Sequence, residues 1–179
     1  MKRRAGRGFT MVEMLVVMAI VVALIGLLLP ALSTARRQAA RSRAEAEIGA
    51  LHQALMQYYT LYSRFPRHHD YGSGGTNPPE RLAAGLSVNR ALVVMLRGED
   101  EPAGQNPRRV GFMEFPPRAI NASGFIDPWD RTYRYMCDFN YDNRVEIGAY
   151  TTLVGRSVAV WSTGPSGPDD TRDNIVSWD

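Results

Sequence analysis

A single acidic residue, Glu13, precedes a long apolar run near the start of this 179-residue chain. The run extends from Met14 to Leu29, and a short basic stretch, Met1–Arg7, comes before it. About 20 mostly apolar residues are enough for a helix to cross a bilayer. A carboxylate at the mouth of such a span is costly, so Glu13 is expected to have a partner and a function.

Two other interpretations of the apolar segment remain open. A cleaved secretory signal has an apolar region of about 7–15 residues without an acid, followed by small residues. Residues 33–35, Ser-Thr-Ala, could serve as such a cleavage site. A plain single-pass anchor fits the length of the run but leaves Glu13 unexplained.

Charge and cysteine content narrow the classes of function. Four of the 21 basic residues precede Gly8, which leaves 17 basic against 18 acidic residues in the rest of the chain. The near-neutral remainder gives no support for nucleic-acid binding. Cys137 is the single cysteine, so no intramolecular disulfide can form, and we expect a small buried apolar side chain there.

Helical periodicity continues beyond the apolar run. Apolar residues recur at spacings of three and four, the stripe of an amphipathic helix packed on one side: Ala44, Ile48, Leu51, Leu55, Tyr58 and Tyr62. One nearly continuous helix is predicted from Phe9 to about Tyr62, ending near Ser63. Pro30 is expected to kink or locally melt it, and either marks the end of the span or forms a weak point.

The rest of the chain predicts a shorter helix and several strands. The helix is expected from Glu80 to Leu96, ended by Gly98, and residues 99–124 are expected to be irregular. Alternating or β-rich patterns predict three strands, at residues 131–139, 145–154 and 157–161. The predicted class is α+β, with the long N-terminal helix packed on a small three-stranded antiparallel sheet.

The start of the chain carries a recognisable motif. Residues 8–13, G-F-T-M-V-E, follow the basic stretch and resemble the prepilin cleavage and methylation motif of type IV pilins and type II secretion pseudopilins. The resemblance implies that a prepilin peptidase cuts after Gly8 and methylates the new amino group of Phe9. It also implies that Glu13 pairs with the N-terminal amine of a neighbouring subunit. The implied division is a leader (1–8), a transmembrane assembly helix (9–30) and a periplasmic head (31–179) that includes the amphipathic helix 31–62.

Later segments resemble the major, G-type pseudopilin of type II secretion. They are YYTLYSRFP at 58–66, RALVVML at 90–96, DPWDRTYRY at 127–135, and the pair of loop segments 162–167 and 173–178. Asp130 stands where that family carries glycine. The segments 67–89 and 97–121 are longer than usual there and match nothing in the family.

This resemblance implies a structural role in a periplasmic filament that drives protein export through an outer-membrane secretin. The subunit would be a single-pass protein of the inner membrane with its head in the periplasm. Its implied partners are the prepilin peptidase, copies of itself, minor pseudopilins, an inner-membrane assembly platform and membrane lipid, but no nucleic acid. Alternatives are a type IV pilin for adhesion or motility, a minor pseudopilin, and a secreted or anchored binding domain with an ordinary signal sequence.

The resemblance also implies a calcium site in the C-terminal loop. Calcium takes about 6–8 oxygen ligands, and the candidates are Ser162, Asp169, Asp170 and Asp173 with backbone carbonyls. Ser166 departs from the family, which carries aspartate there, and a solvated acidic turn is the alternative. A second acidic cluster, residues 138–143, imitates the start of an EF-hand loop but lacks its later glycine and glutamate, so a hairpin turn explains it more simply.

An enzyme is not expected. The three histidines have no metal-ligand spacing, and the chain carries neither a serine elbow nor a phosphate-cradling glycine loop nor a dinucleotide fingerprint. The three tryptophans are expected to be packing residues or loop anchors.

Overall fold

The computed structural model describes residues 10–66, 81–82, 85–100, 104–147, 151–167 and 171–178. The processing residues Gly8 and Phe9 and the predicted ligands Asp169 and Asp170 therefore lie outside the described residues. The chain divides into two compact units, Met1–Ala40 and Arg41–Asp179.

Helix α1, Met11–Tyr62, spans 52 residues and has Pro30 in its interior. A kink or local melting was expected at Pro30; the helix is continuous there, so local melting does not occur. Instead, the hydroxyls of Ser33 and Thr34 donate to the Pro30 carbonyl at 2.8 and 3.1 Å. Whether Pro30 marks the end of a span or a weak point stays a prediction.

Within the second unit, α1 supplies one side of the hydrophobic core. The predicted stripe is confirmed by the buried residues of α1, which are Ala44, Glu47, Ile48, Leu51, Ala54, Leu55 and Tyr58. Tyr62, the last predicted member, is partly buried and packs against the same core. The helix ends at Tyr62, next to Ser63 as expected, and Ser63 has a positive φ of 53°.

The described strands and the second helix all lie in the second unit. Helix α2 is Arg90–Leu96. The strands are β1 Arg81–Leu82, β2 Leu86–Ser87, β3 Ile120–Asn121, β4 Gly124–Phe125, β5 Arg134–Cys137, β6 Arg144–Ile147, β7 Thr151–Val154, β8 Val158–Ser162 and β9 Ile175–Val176. One sheet has the order β2-β5-β8-β9 and is antiparallel throughout. The α+β class, with a long N-terminal helix and an antiparallel sheet, is confirmed.

The prediction of one sheet of three sequential strands is wrong. Strand β5 pairs with β2 and β8, whereas β6 pairs with β7 and, in parallel, with β1 in a second sheet. The chain changes sheet at the turn after Cys137. There the buried Asp138 carboxylate accepts hydrogen bonds from the backbone N–H groups of Asp142 and Asn143, at 3.1 and 2.8 Å. This turn carries β6 away from β5.

The prediction that α2 begins at Glu80 is also wrong, because the helix begins ten residues later. Gly85 has a left-handed backbone, with φ +65°, and a Cβ there would collide with the Trp161 ring. Leu86 and Ser87 pair with β5 instead. Asn89 then caps α2 by accepting a hydrogen bond from Leu92 N at 3.0 Å. The predicted C-terminal end, Gly98, is correct and has a φ of +107°.

The described part of the long segment 97–121 is organised around one buried amide. The Asn106 side chain, 0% exposed, donates to the carbonyls of Met95 and Val110, at 2.9 Å each. Its Oδ1 accepts from Tyr62 Oη at 2.7 Å and from Val110 N at 3.1 Å. Tyr58 also donates to Gln105 O at 2.6 Å. The segment is therefore attached to the end of α1.

Candidate functional site

The first half of α1 presents an apolar surface. By length and composition, α1 is the one described helix that could cross a membrane, and its most apolar window has a mean hydropathy of 3.0 with none of that window buried. Large apolar side chains along it are exposed, from Met11 at 91% to Leu32 at 44%. Such a surface requires either lipid or other apolar helices around it.

Glu13 closes a capping box at the start of this helix. The Thr10 backbone N–H and hydroxyl both donate to Glu13 Oε2 at 2.8 Å, and Glu13 N donates to Thr10 Oγ1 at 3.2 Å. Each residue thus satisfies a backbone donor at the helix start that would otherwise be unpaired. Among the described residues, Glu13 Oε1 accepts no hydrogen bond, so one carboxylate oxygen remains for another partner.

Thr10 is a residue that the interpretation of the sequence missed. The Thr-x-x-Glu spacing of a capping box was present at residues 10–13. It was overlooked because Glu13 was considered only as an intermolecular partner. The structure shows that the carboxylate also has a local partner before any subunit contact.

Asp127 joins the segment 127–135 to the loop that begins at Ser162. Its Oδ1 accepts hydrogen bonds from the backbone N–H groups of Trp129 and Arg131, at 2.9 Å each. Its Oδ2 accepts from the Ser162 hydroxyl at 2.6 Å, and that hydroxyl accepts from Gly164 N at 3.0 Å. The predicted ligand Ser162 is fully buried, and its hydroxyl serves this connection.

The unusual Asp130 lies at a position that suits glycine. Its φ is +63°, in the left-handed region that glycine occupies without steric cost. Aspartate is one of the few other residues that adopt this conformation, usually as a single residue in a turn. Asp130 therefore forms this turn without glycine.

The C-terminal loop places Asp173 beside the turn at residues 163–167. Asp173 Oδ2 accepts a hydrogen bond from Ser166 N at 3.0 Å. Asp173 Oδ1 and Asn174 Oδ1 are buried and have no hydrogen-bond partner among the described residues. Such oxygens suit a hard cation. The described residues contain no group of three acidic, histidine or cysteine side chains able to hold a metal, so a complete site would need residues 168–170.

The second acidic cluster is used by its own turn. Both Asp138 oxygens accept backbone hydrogen bonds within that turn. The turn is not the hairpin that the simpler interpretation predicted, because β5 and β6 belong to different sheets. The neighbouring Cys137 is buried, as expected. Burial raises the pKa of its thiol well above the usual value, and the charge of Asp138 adds to this effect, so the thiol stays protonated and unreactive.

Residues 3–29 match the family model described as the prokaryotic N-terminal methylation motif. No curated protein is significantly similar to the chain. The motif, together with the long apolar N-terminal helix, supports a type IV pilin-like protein. Proteins with this motif are structural, are processed by prepilin peptidase and assemble into pilus-like filaments. The apolar helix fits membrane anchoring with the rest of the chain outside.

Proposed function

We propose that this chain is the major, G-type pseudopilin of a type II secretion system, a structural subunit without enzymatic activity. The methylation motif at the head of an exposed apolar helix carries the assignment to a filament. The hydrogen bond from Ser162 to Asp127 supports the secretion branch, because it joins the two segments that resemble that family.

Assembly follows from the apolar surface of α1. The inner membrane holds the subunit by this helix while the head lies in the periplasm. On extraction from the membrane the same surface is reburied against the helices of other subunits, because its exposure to water would cost about 25 cal/mol per Å². Contacts between different faces that never close into a ring produce a filament.

Glu13 selects the register of this assembly. A carboxylate buried without a partner is strongly penalised, whereas one that faces an ammonium group is compensated. After cleavage and methylation, Phe9 carries that ammonium group. Glu13 Oε1 accepts a hydrogen bond from the amine of the neighbouring subunit, while Oε2 keeps its hydrogen bonds from Thr10. The inner-membrane assembly platform and minor pseudopilins complete the set of partners.

A type IV pilin is the competing function. Pilins of that kind commonly close the C-terminal region with a disulfide, and Cys137 is the single cysteine of this chain. A minor pseudopilin is the other competitor within the secretion class.

Deletion of the gene distinguishes these functions. We expect deletion to retain normally secreted proteins in the periplasm while surface pili and twitching motility are unchanged, with complementation by the intact gene as the control. Loss of pili with normal secretion would contradict the proposed role and favour the type IV pilin. Unimpaired secretion in strains that lack only this subunit would also contradict it.

We further propose that the C-terminal loop binds calcium. Asp173 and Asn174 supply buried oxygens without a described partner, and Asp169 and Asp170 belong to the same loop by sequence. Bound calcium would supply a positive charge for these buried oxygens, and a ligand that binds only the folded state stabilises it. We expect EGTA to lower the Tm of the full chain in detergent and excess calcium to restore it. An unchanged Tm would remove the site.

A further inference from the structure

We propose that Arg131 is the positioning residue of the C-terminal loop, defined here as residues 162–167 and 171–174. Its guanidinium holds the turn at residues 163–167 in the conformation that places Asp173 for a divalent cation, so this turn is ordered before any metal binds. The cation part of this inference rests on the proposed calcium site, whereas the ordering of the loop by Arg131 does not.

The guanidinium of Arg131 contacts the loop at successive residues. Nη1 donates to the carbonyl of Gly164, and Nη2 donates to the carbonyl of Pro165 at 2.9 Å. Gly167 packs against the same group, since a Cβ there would lie 3.2 Å from Nη2 and 3.3 Å from Cζ. A planar group with fixed donor directions thus spans the turn, a geometry that arginine provides and lysine does not.

Arg131 is itself held by the Asp127 turn. Its backbone N–H donates to Asp127 Oδ1 at 2.9 Å, and its carbonyl accepts from Asp127 N at 2.7 Å. Asp127 is only 3% exposed and also accepts from Ser162 at the start of the loop. The backbone of Arg131 is therefore already fixed, so less conformational entropy is lost when its guanidinium forms hydrogen bonds.

The clamped turn sets the position of Asp173. Ser166 N, one residue beyond the Pro165 carbonyl, donates to Asp173 Oδ2 at 3.0 Å. Gly164 has a φ of +63°, and a Cβ there would collide with the Asp173 carbonyl. The two carbonyls held by Arg131 thus lie in the same short turn that contacts Asp173 through its side chain and its backbone. Displacing this turn would displace the carboxylate.

Two consequences follow from this arrangement. The backbone N–H groups of Ser166 and Gly167 should exchange slowly even without calcium, because the turn is fixed from one side by Arg131. Removal of the guanidinium should make their protection depend on calcium and should weaken calcium binding, because the metal must then order the turn itself.

Hydrogen exchange of the full chain in detergent, followed by mass spectrometry, tests the proposal. The variants are Arg131→Ala, Arg131→Lys and the matched control Arg144→Ala, an exposed arginine on β6. In EGTA we expect peptides covering 163–174 to exchange at least about tenfold faster in Arg131→Ala than in the wild type. Arg131→Lys should resemble Arg131→Ala, because it keeps the charge but loses the two-pronged geometry. Peptides from 44–58 of α1 report whether each variant remains folded.

Calcium titration of the same samples completes the test. We expect calcium to bind Arg131→Ala at least about tenfold more weakly than the wild type and to restore protection at high concentration. Equal protection of the loop in wild type and Arg131→Ala in EGTA would overturn the proposal. Faster exchange in Arg131→Ala, with no calcium binding to either protein, would remove the proposed calcium site and leave the positioning role of Arg131 supported.

Discussion

Replacement of Glu13 by alanine is expected to abolish incorporation into filaments while leaving cleavage after Gly8 intact. The variant loses the carboxylate oxygen that is free to meet the amine of a neighbouring subunit. Leaving one partner of a buried ion pair without the other costs roughly 3–5 kcal/mol, and each 1.4 kcal/mol corresponds to about tenfold in an equilibrium. The periplasmic filament fraction, pelleted by ultracentrifugation and measured by immunoblot, should therefore fall below detection.

A control must separate this pairing from the capping box. Thr10→Val keeps the side-chain volume but removes the hydroxyl that contacts Glu13 in both directions. Loss of a helix cap costs about 1 kcal/mol, so Thr10→Val should reduce filaments far less than Glu13→Ala does. Equal loss in the two variants would assign the effect to helix capping. Normal filament incorporation of Glu13→Ala would refute the pairing role.

The second large effect is expected from Tyr133→Phe, which breaks a buried connection between α1 and the segment before β5. The Tyr133 hydroxyl donates to Glu47 Oε2 at 2.6 Å, and Arg43 Nε lies 2.9 Å from Glu47 Oε1. Tyr133 is 0% exposed and Glu47 only 9%. Because the variant leaves a buried carboxylate oxygen without its donor, we expect it to lower the free energy of unfolding by about 1–3 kcal/mol.

The same pair predicts how stability depends on alkaline pH. Burial, and then the hydrogen bond to Glu47, raise the pKa of Tyr133 far above its ordinary value of about 10. Above pH of about 10, Tyr133 loses its phenol proton in the unfolded chain but keeps it in the folded chain. The protonated Tyr133 hydroxyl therefore contributes its full stabilisation below pH of about 10. Above this pH its contribution to the free energy of unfolding falls by about 1.4 kcal/mol per pH unit. Tyr133→Phe has no phenol to titrate, so the difference in free energy of unfolding between this variant and the wild type should shrink as the pH rises.

Denaturant unfolding of the full chain in detergent between neutral and alkaline pH measures both effects. Tyr141→Phe is the matched control, because Tyr141 is 53% exposed and should change stability little. A Tyr133→Phe protein as stable as the wild type at neutral pH would contradict the assigned role of the hydrogen bond. A deficit that stays constant above pH of about 10 would contradict the raised pKa.

Sequence patterns predicted the local parts of this structure well. The 3.6-residue periodicity from Ala44 to Tyr58 identified the buried face of α1, since packing on one side leaves a strong periodic signal. The α+β class followed from this helix and the later alternation. The predicted start of α2 failed because Trp161, far along the chain, occupies the space beside Gly85. Such a tertiary contact overrides local propensity and has no local signature.

Strand pairing and the buried polar contacts could not be predicted from the sequence, because they also depend on tertiary contacts. Strand β5 pairs with β8 across the β6–β7 hairpin, and nothing in the order of the strands encodes that choice. Asn106 looks like an ordinary loop residue in the sequence, although its side chain organises the end of α1. Of the candidate sites, the motif around Glu13 could be identified from the sequence. The contacts of Ser162 and Arg131 could not, because they join segments that are distant in the sequence.

The central claim, that peptidase processing converts this chain into a filament subunit, is tested most directly by mass spectrometry of the mature N-terminus. The account predicts that the processed protein begins at Phe9 and carries a methyl group on its amine. A mature protein that begins near Arg36, or one that keeps residues 1–8, would contradict it.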